Sequence, residues 1–230
     1  MIDYHCHLLP RVDDGPQDME ESVEMAAALS EAGFHTVYCT PHLMKGVYEK
    51  NNGACTAYKE ILQQRLQTEK IDLRLRLGRE YYLDEFIFDH LKYPLPLEGT
   101  NFILLEIPGN IPADFIKQAC FQIKRSGFTP MIAHPERSSG FSNPEKNAKG
   151  GVSFFKADSD SKASDLLDYL LELGCAFQGN YGSFIGLYGS QTKKTAEIFK
   201  KQGLYTHFGT DLHSRDDIKH LQEEDWKIEA

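Results

Sequence analysis

Met1-Ile2-Asp3-Tyr4-His5-Cys6-His7 reads as a short strand that ends on two imidazoles. Residues i and i+2 of a strand share a face, so His5 and His7 point together while Cys6 turns away. A lone pair of this kind is more often structural than functional, and its weight comes from what recurs along the chain. Pro41-His42, Gly78-Arg79-Glu80, Leu105-Glu106, Ala133-His134-Pro135 and Thr210-Asp211-Leu212-His213 each follow an apolar run of strand type. Helical stretches lie between those runs. Residues 18–32 carry Met19, Val23, Ala26, Ala27 and Leu29 at helical spacing and close on Gly33. Further helices are expected over 58–70, 84–91, 113–126, 164–173 and 192–202. Strands are expected over 2–5, 34–39, 73–77, 102–105, 129–133, 175–178 and 205–208.

This alternation of strand and helix implies an α/β fold with a parallel sheet and helices outside it. In such folds functional residues gather at the carboxyl ends of the strands, where all of these imidazoles and carboxylates fall. Metal-type residues on both the first and the last strand favour a closed barrel over an open sheet. Residues 138–161 are rich in Ser, Gly, Asn, Lys and Asp and read as a long loop, either an active-site flap or a disordered segment.

The 230 residues are expected to form a single domain, with 41% apolar and 26% charged residues as in an ordinary soluble protein. A net charge of -9 disfavours gripping nucleic acid or an anionic membrane, which needs clustered Lys and Arg. Cys6, Cys39, Cys55, Cys120 and Cys175 are odd in number and lack CxxC spacing, which fits reduced thiols in a cytosol. The start of the chain has no signal-peptide pattern, and no apolar run approaches the ~18–20 residues of a membrane span. A cytoplasmic protein without membrane insertion is therefore expected.

The donors suit metal-assisted hydrolysis. Imidazoles (His5, His7, His42, His134, His213) mixed with carboxylates (Glu80, Glu106, Asp211 and, from the Asp13-Asp14-Gly15-Pro16 turn, Asp14) suit Zn, Fe or Mn. A carboxylate-rich mixture tilts toward Mn or Fe. They are too many for one ion; two or three ions sharing carboxylate bridges is the natural reading. Singly, each has a plainer explanation: Asp13 and Asp14 as turn residues, Glu80 as a helix cap, Glu136 and Arg137 as a surface ion pair. Their joint position at strand ends is what outweighs those explanations. His35 and His207 are expected in the core or sheet wall, and His90 and His220 in solvent. Cys6 and Arg11 are one residue short of the spacing of a cysteine-phosphatase loop, and the interval lacks glycine, so Cys6 is not expected to be a nucleophile. The glycine-rich stretch 178–189 reads as a loop and helix start, or else as a pocket wall offering Asn180, Tyr181 and Ser183.

The motifs together resemble the PHP (polymerase and histidinol phosphatase) superfamily. The elements are Met1-Ile-Asp-Tyr-His-Cys-His7, Val12-Asp-Asp-Gly-Pro16, Thr40-Pro-His42, Ala133-His-Pro-Glu-Arg137, Gln178-Gly-Asn180 and Asp211-Leu-His213. Val12-Asp-Asp-Gly-Pro16 and His134-Pro-Glu-Arg137 look like its bacterial branch of manganese-dependent protein-tyrosine phosphatases of the CpsB/CapC/YwqE type. The resemblance spans residues 1 to about 215. It implies a distorted seven-stranded (β/α) barrel holding three ions, Mn2+ by preference. His5, His7, Glu80 and Asp211 would hold the first ion. Glu80, Glu106 and His134 would hold the second, and Asp14 (or Asp13), His42 and His213 the third. Arg137 would bind phosphate, and Arg215 would stand in for a second family arginine. The implied substrate is the phosphotyrosine tail of a bacterial tyrosine kinase that controls capsule or exopolysaccharide export. The alternatives are a histidinol-phosphate-type phosphatase and a phosphotyrosine-binding regulatory protein with weak turnover. The chain departs from the family pattern at Cys6 (often Ser), at Ser138 (usually Tyr), in the long 138–161 insert and in the extra residue of Asn180-Tyr-Gly-Ser183.

Overall fold

The computed structural model describes residues 1–141 and 162–223. All strand ladders are parallel. β1 (Ile2–Cys6), β2 (Thr36–Cys39) and β4 (Arg74–Leu77) form one sheet in the order β1-β2-β4. β3 (His42–Leu43), β5 (Glu80–Tyr82), β6 (Phe102–Glu106), β7 (Thr129–Ala133), β8 (Ala176–Asn180) and β9 (His207–Gly209) form a second, paired in chain order.

The sequence pattern predicts seven strands; nine are present among the described residues, because a short further strand follows the second and the third across a break. Pro41 has no N–H to carry the ladder across from Cys39 to His42. Gly78 passes so close to Leu97 that a Cβ there would lie 2.3 Å from Leu97 Cδ2. The breaks are spanned by Gly78 N–H donating to Cys39 O (2.9 Å) and Glu80 N–H donating to Pro41 O (3.2 Å). Thus β3 and β5 continue the lines of β2 and β4, and they begin on His42 and Glu80. The chain leaving β9 bonds back to β1: Asp211 N–H donates to His5 O at 2.7 Å, and His7 N–H donates to Leu212 O at 3.0 Å. The expected single closed sheet is thus present as two parallel sheets joined at these places.

The helices are α1 (Met19–Glu31), α2 (Asn52–Thr68), α3 (Ile87–His90), α4 (Ala113–Arg125), α5 (Lys162–Glu172), α6 (Tyr181–Ile185), α7 (Ser190–Lys201) and α8 (Arg215–Glu223). Asp18 caps α1 by accepting from Glu21 N–H at 2.9 Å. Asn51 caps α2 by accepting from Ala54 N–H at 2.8 Å. That cap starts α2 before the predicted residue 58, where apolar periodicity begins. α4 buries Ile116, Ala119, Cys120 and Ile123, one stripe at i, i+3, i+4 and i+7. One apolar cluster packs β1, β2 and β4 against α1 and α2; a second packs β5 to β8 against α4, α5 and α7. A third draws Tyr38, Leu104, Met131, Ala133 and Ala176 from both sheets, with Ile2 and Tyr4 packed on it, and so binds the sheets together. Full burial of one such Leu or Met contributes roughly 1.5–3 kcal/mol. Of the expected loop at 138–161, Ser138 and a 3-10 turn at Ser139–Phe141 are described; residues 142–161 lie outside the described residues. Among the described residues no helix is long and apolar enough to cross a membrane.

Candidate metal centre

His5 lies near the end of β1 and His7 directly after it, His42 and Glu80 open β3 and β5, Glu106 ends β6, His134 follows β7, and Asp211 and His213 follow β9. Asp14 enters from the turn before α1. Asp14, His42, Glu80, Glu106, His134, Arg137, Asp211 and His213 line one cavity of about 360 Å³. His5, His7 and Glu80 are fully buried. The backbone bends to bring in two of these residues. His134 (φ 31°) and Asp211 (φ 55°) lie in the left-handed region, which costs a non-glycine residue on the order of 1–3 kcal/mol.

Glu80 sits at the centre. Its Oε2 lies 3.0 Å from His5 Nε2, 3.1 Å from His7 Nε2 and 3.1 Å from His42 Nδ1, and its Oε1 lies 3.1 Å from His134 Nε2. Asp211 Oδ1 is 3.2 Å from His5 Nε2 and 3.3 Å from His7 Nε2. The outer nitrogens fix the tautomers. His7 Nδ1 meets Asp13 Oδ2 at 2.7 Å, and His5 Nδ1 meets Gln178 Oε1 at 2.8 Å. The Gln178 amide is oriented by its own Nε2, which donates to Gly179 O at 2.7 Å. In their neutral form both imidazoles would therefore carry the proton on Nδ1 and present Nε2 lone pairs, 3.2 Å apart, to two carboxylates. Glu80 Oε2 and His42 Nδ1 are buried without a hydrogen bond. Lone pairs converging on lone pairs need a cation between them, and this nitrogen–oxygen set fits a divalent metal ion.

Three groups of donors converge closely enough to hold ions: His5, His7, Glu80 and Asp211; His7, Asp14, His42 and His213; and His42, Glu80 and Glu106. The third group has His42 where the family resemblance implies His134. Asp14 Oδ1 faces His213 Nε2 at 3.5 Å and His42 Nε2 at 3.8 Å. Asp13 instead holds His7 and accepts from the His42 N–H at 2.9 Å. Of the two aspartates, Asp14 is therefore the one that faces the imidazoles of the cavity, with Asp13 behind it.

Protonation reflects burial and the crowding of charged groups. Burial disfavours the His5 imidazolium, but Glu80 and Asp211 outweigh it and lift its pKa to about 9. Burial also opposes charge on His7, yet Asp13 raises it well above the usual imidazole range. Burial lowers His42 and His213, and burial followed by the Glu80 charge pushes Glu106 up to about 7. A raised imidazole pKa stabilises the metal-free fold fully below the unfolded value near 6.5, and that stability is lost as pH rises through about 9. An ion bound there would have to displace the His5 proton, so affinity for added Mn2+ is expected to climb as pH rises towards about 9. Calorimetric titration at several pH values checks this; affinity that does not vary with pH contradicts it.

Arg137 brings positive charge to the rim. It donates to Asp211 Oδ2, and its Cζ lies 4.2 Å from the centroid of the Tyr188 ring. Its 3-10 turn, Pro135–Arg137, is held by the buried Glu136, whose carboxylate accepts from Asn180 N–H (2.9 Å), Ser183 Oγ (2.8 Å) and Tyr205 OH (2.9 Å). Asn180 Nδ2 in turn donates to Asp211 Oδ2 at 3.1 Å.

The sequence model of the family described as capsular polysaccharide synthesis, CpsB/CapC, matches residues 1–150. This chain belongs to the CpsB/CapC family. The tyrosine-protein phosphatase YwqE of Bacillus subtilis (strain 168) is 32% identical over 217 residues, covering 93% of this chain and 78% of that protein. The tyrosine-protein phosphatase CpsB of Streptococcus pneumoniae is 28% identical over 229 residues, covering 94% of this chain and 84% of that protein. The chain also superposes with a TM-score of 0.77 and 29% identity on a chain from the crystal structures of YwqE and CpsB, described as unique metal-dependent tyrosine phosphatases. That match covers 100% of this chain and 89% of the other.

Several expectations for this CpsB/CapC member need correction. Arg215 does not join the cavity: its Nε pairs with Glu24 Oε2 at 2.9 Å on the outer face of α1, because α8 begins only after the chain has left the pocket. Arg137 is thus the one arginine lining the cavity among the described residues. His35 precedes β2 and is exposed, not in the core. His90 is half-buried rather than solvated, and the His220 side chain lies outside the described residues. His207 does pack in the sheet wall, with ring centroids 4.4 Å from Tyr4 and 4.9 Å from Phe102. The glycine-rich stretch supplies Asn180 and Tyr188 to the rim, while Ser183 serves Glu136. Gln178, which orients His5, carried no sequence signal beyond its place in a motif, and Asp13, the alternative to Asp14 in sequence, instead orients His7.

Cys6 faces away from the donors. Its Sγ is fully buried, 3.8 Å from Leu212 O, and burial holds the thiol well above its usual pKa. Cys6→Ser is expected to keep wild-type metal content and hydrolytic activity within about twofold, as expected of a side chain behind the site. Loss of activity in folded, metal-loaded variant would show that the thiol takes part.

Proposed function

We propose that this protein is a metal-dependent phosphomonoester hydrolase acting on phosphotyrosine, with two or three divalent ions, Mn2+ by preference. The observation that carries this reading is the cavity in which Glu80 faces four imidazoles with Asp211 and Arg137 beside them. Divalent ions bound there would supply water activation and neutralisation of phosphoryl charge. His5, His7, Glu80 and Asp211 would hold one ion, Asp14, His42 and His213 another, and Glu80, Glu106 and His134 or His42 a third. Arg137, stacked on Tyr188, would orient the phosphoryl group and balance the charge that develops on its oxygens. Water is the nucleophile in this reading and no phosphoenzyme forms, which agrees with the buried, protonated Cys6. Phenolate is a fairly good leaving group, so strong acid catalysis is dispensable. The two sheets and the β9-to-β1 bonds support a distorted seven-stranded barrel as the frame. Family membership supports a role in capsule or exopolysaccharide regulation, with the tail of a bacterial tyrosine kinase as the partner.

Purified protein, stripped by chelator and resupplied with Mn2+, would be offered a phosphotyrosyl peptide, histidinol phosphate and an oligonucleotide. The expected result is metal-dependent turnover with the highest kcat/KM on the peptide. Preference for histidinol phosphate would overturn the substrate assignment, and tight peptide binding without turnover would make the protein a phosphotyrosine-binding regulator.

A further inference from the structure

Arg79 immediately precedes β5, and its side chain is completely buried against Lys50 and Cys55. Removing a guanidinium from water is expensive unless an anion or several acceptors receive it. Among the described residues Arg79 makes no ion pair with a carboxylate. Its acceptors are backbone carbonyls: Nη2 donates to His42 O at 2.8 Å and Nη1 to Lys50 O at 3.0 Å. Nη1 also lies 2.6 Å from Cys55 Sγ, a thiol whose pKa burial raises, so it stays neutral and does not cancel the charge. Nε has no hydrogen-bond partner. A cation kept dry at this cost and directed at two carbonyls is best explained by what those carbonyls fix.

His42 belongs to a strand of two residues, His42–Leu43, that follows a proline unable to donate to the ladder. So short a strand cannot by itself set the angle of its first side chain. Its peptide groups are gripped instead by charges: Asp13 accepts from the N–H at 2.9 Å and Arg79 donates to the C=O at 2.8 Å. The bond to Lys50 O also ties down the far end of the loop, next to the Asn51 cap of α2. Between these points the chain makes a turn, Met44 with Tyr48, that stacks the Tyr48 ring on His42 at 5.7 Å.

We propose that Arg79 is a positioning residue that fixes the His42 imidazole against Glu80 by clamping the 42–50 loop at both ends. The proposal rests on the reading of His42 as a metal ligand. A guanidinium fork can reach both carbonyls at once, whereas a lysine ammonium is a single point of contact. Arg79→Lys and Arg79→Met would therefore be compared with wild type and with His42→Ala. In metal-free protein, hydrogen exchange of the 43–49 amides should rise about tenfold or more in both Arg79 variants while β6 and β7 exchange as before. Mn2+ affinity and kcat should fall by roughly 10- to 100-fold, as for groups that orient a ligand, with KM for a phosphotyrosyl peptide within about twofold. His42→Ala separates the two claims. If it retains Mn2+ affinity, the reading of His42 fails. If it loses affinity while the Arg79 variants keep wild-type exchange and affinity, the positioning role is overturned. Failure of both Arg79 variants to fold would assign Arg79 to the fold and overturn the proposal as well.

Discussion

Glu80→Gln is expected to abolish turnover, with kcat at least about 10³-fold lower, and to strip the protein of most of its metal. The amide keeps the size and one oxygen but removes the charge that four imidazoles face. Its NH2 group would point a donor where Oε2 now stands 3.0–3.1 Å from three ring nitrogens. Burial opposes the ionised Glu80, but His5, His42 and His134 hold its pKa well below the carboxylate range. The variant should fold, because the apolar clusters behind the site do not include Glu80. Metal content by elemental analysis and kcat on a phosphotyrosyl peptide check this. A variant that keeps full metal content, or that loses metal without losing turnover, would remove Glu80 from the centre of the account.

Arg137→Ala should behave differently. The guanidinium contacts Asp211 but is not among the converging donors, so metal content should stay near wild type. With no second arginine lining the cavity among the described residues, kcat/KM should fall by about 10²–10³-fold, the range for losing one preorganised donor to a developing oxyanion. Arg137→Lys should recover part of the charge but little of the fork geometry or of the stacking on Tyr188. Inhibition by inorganic phosphate should weaken in parallel. An Arg137→Ala variant with unchanged kcat/KM would mean that the metal ions alone bind the phosphoryl group.

The donors were legible because strand periodicity constrains them. Once His5 and His7 were put on one face, the other donors at strand ends pointed to the same pocket, and all nine lie in or beside it. The short strands β3 and β5 were not legible. The apolar pattern ends the second and third strands at 39 and 77 and does not show that pairing resumes beyond Pro41 and Gly78, on His42 and Glu80. Nor could periodicity show that His134 and Asp211 turn into the cavity through left-handed backbone. Arg215 followed the last motif as expected in order, but sequence order does not say which face of α8 it takes, and it pairs with Glu24. Sequence favoured Asp14 and kept Asp13 as the fallback; the 2.7 Å contact of Asp13 to His7 Nδ1 places Asp13 behind that imidazole. Gln178 and Arg79 act through backbone and ring contacts that leave no periodic trace.

Anomalous diffraction at the Mn edge, from crystals of catalytically active protein grown with Mn2+, tests the central claim most directly. The account predicts two or three peaks roughly 3.5–4 Å apart, with Glu80 shared between ions and His5, His7 and Asp211 around one of them. Active protein with a single peak, or with metal bound away from Glu80, would contradict it.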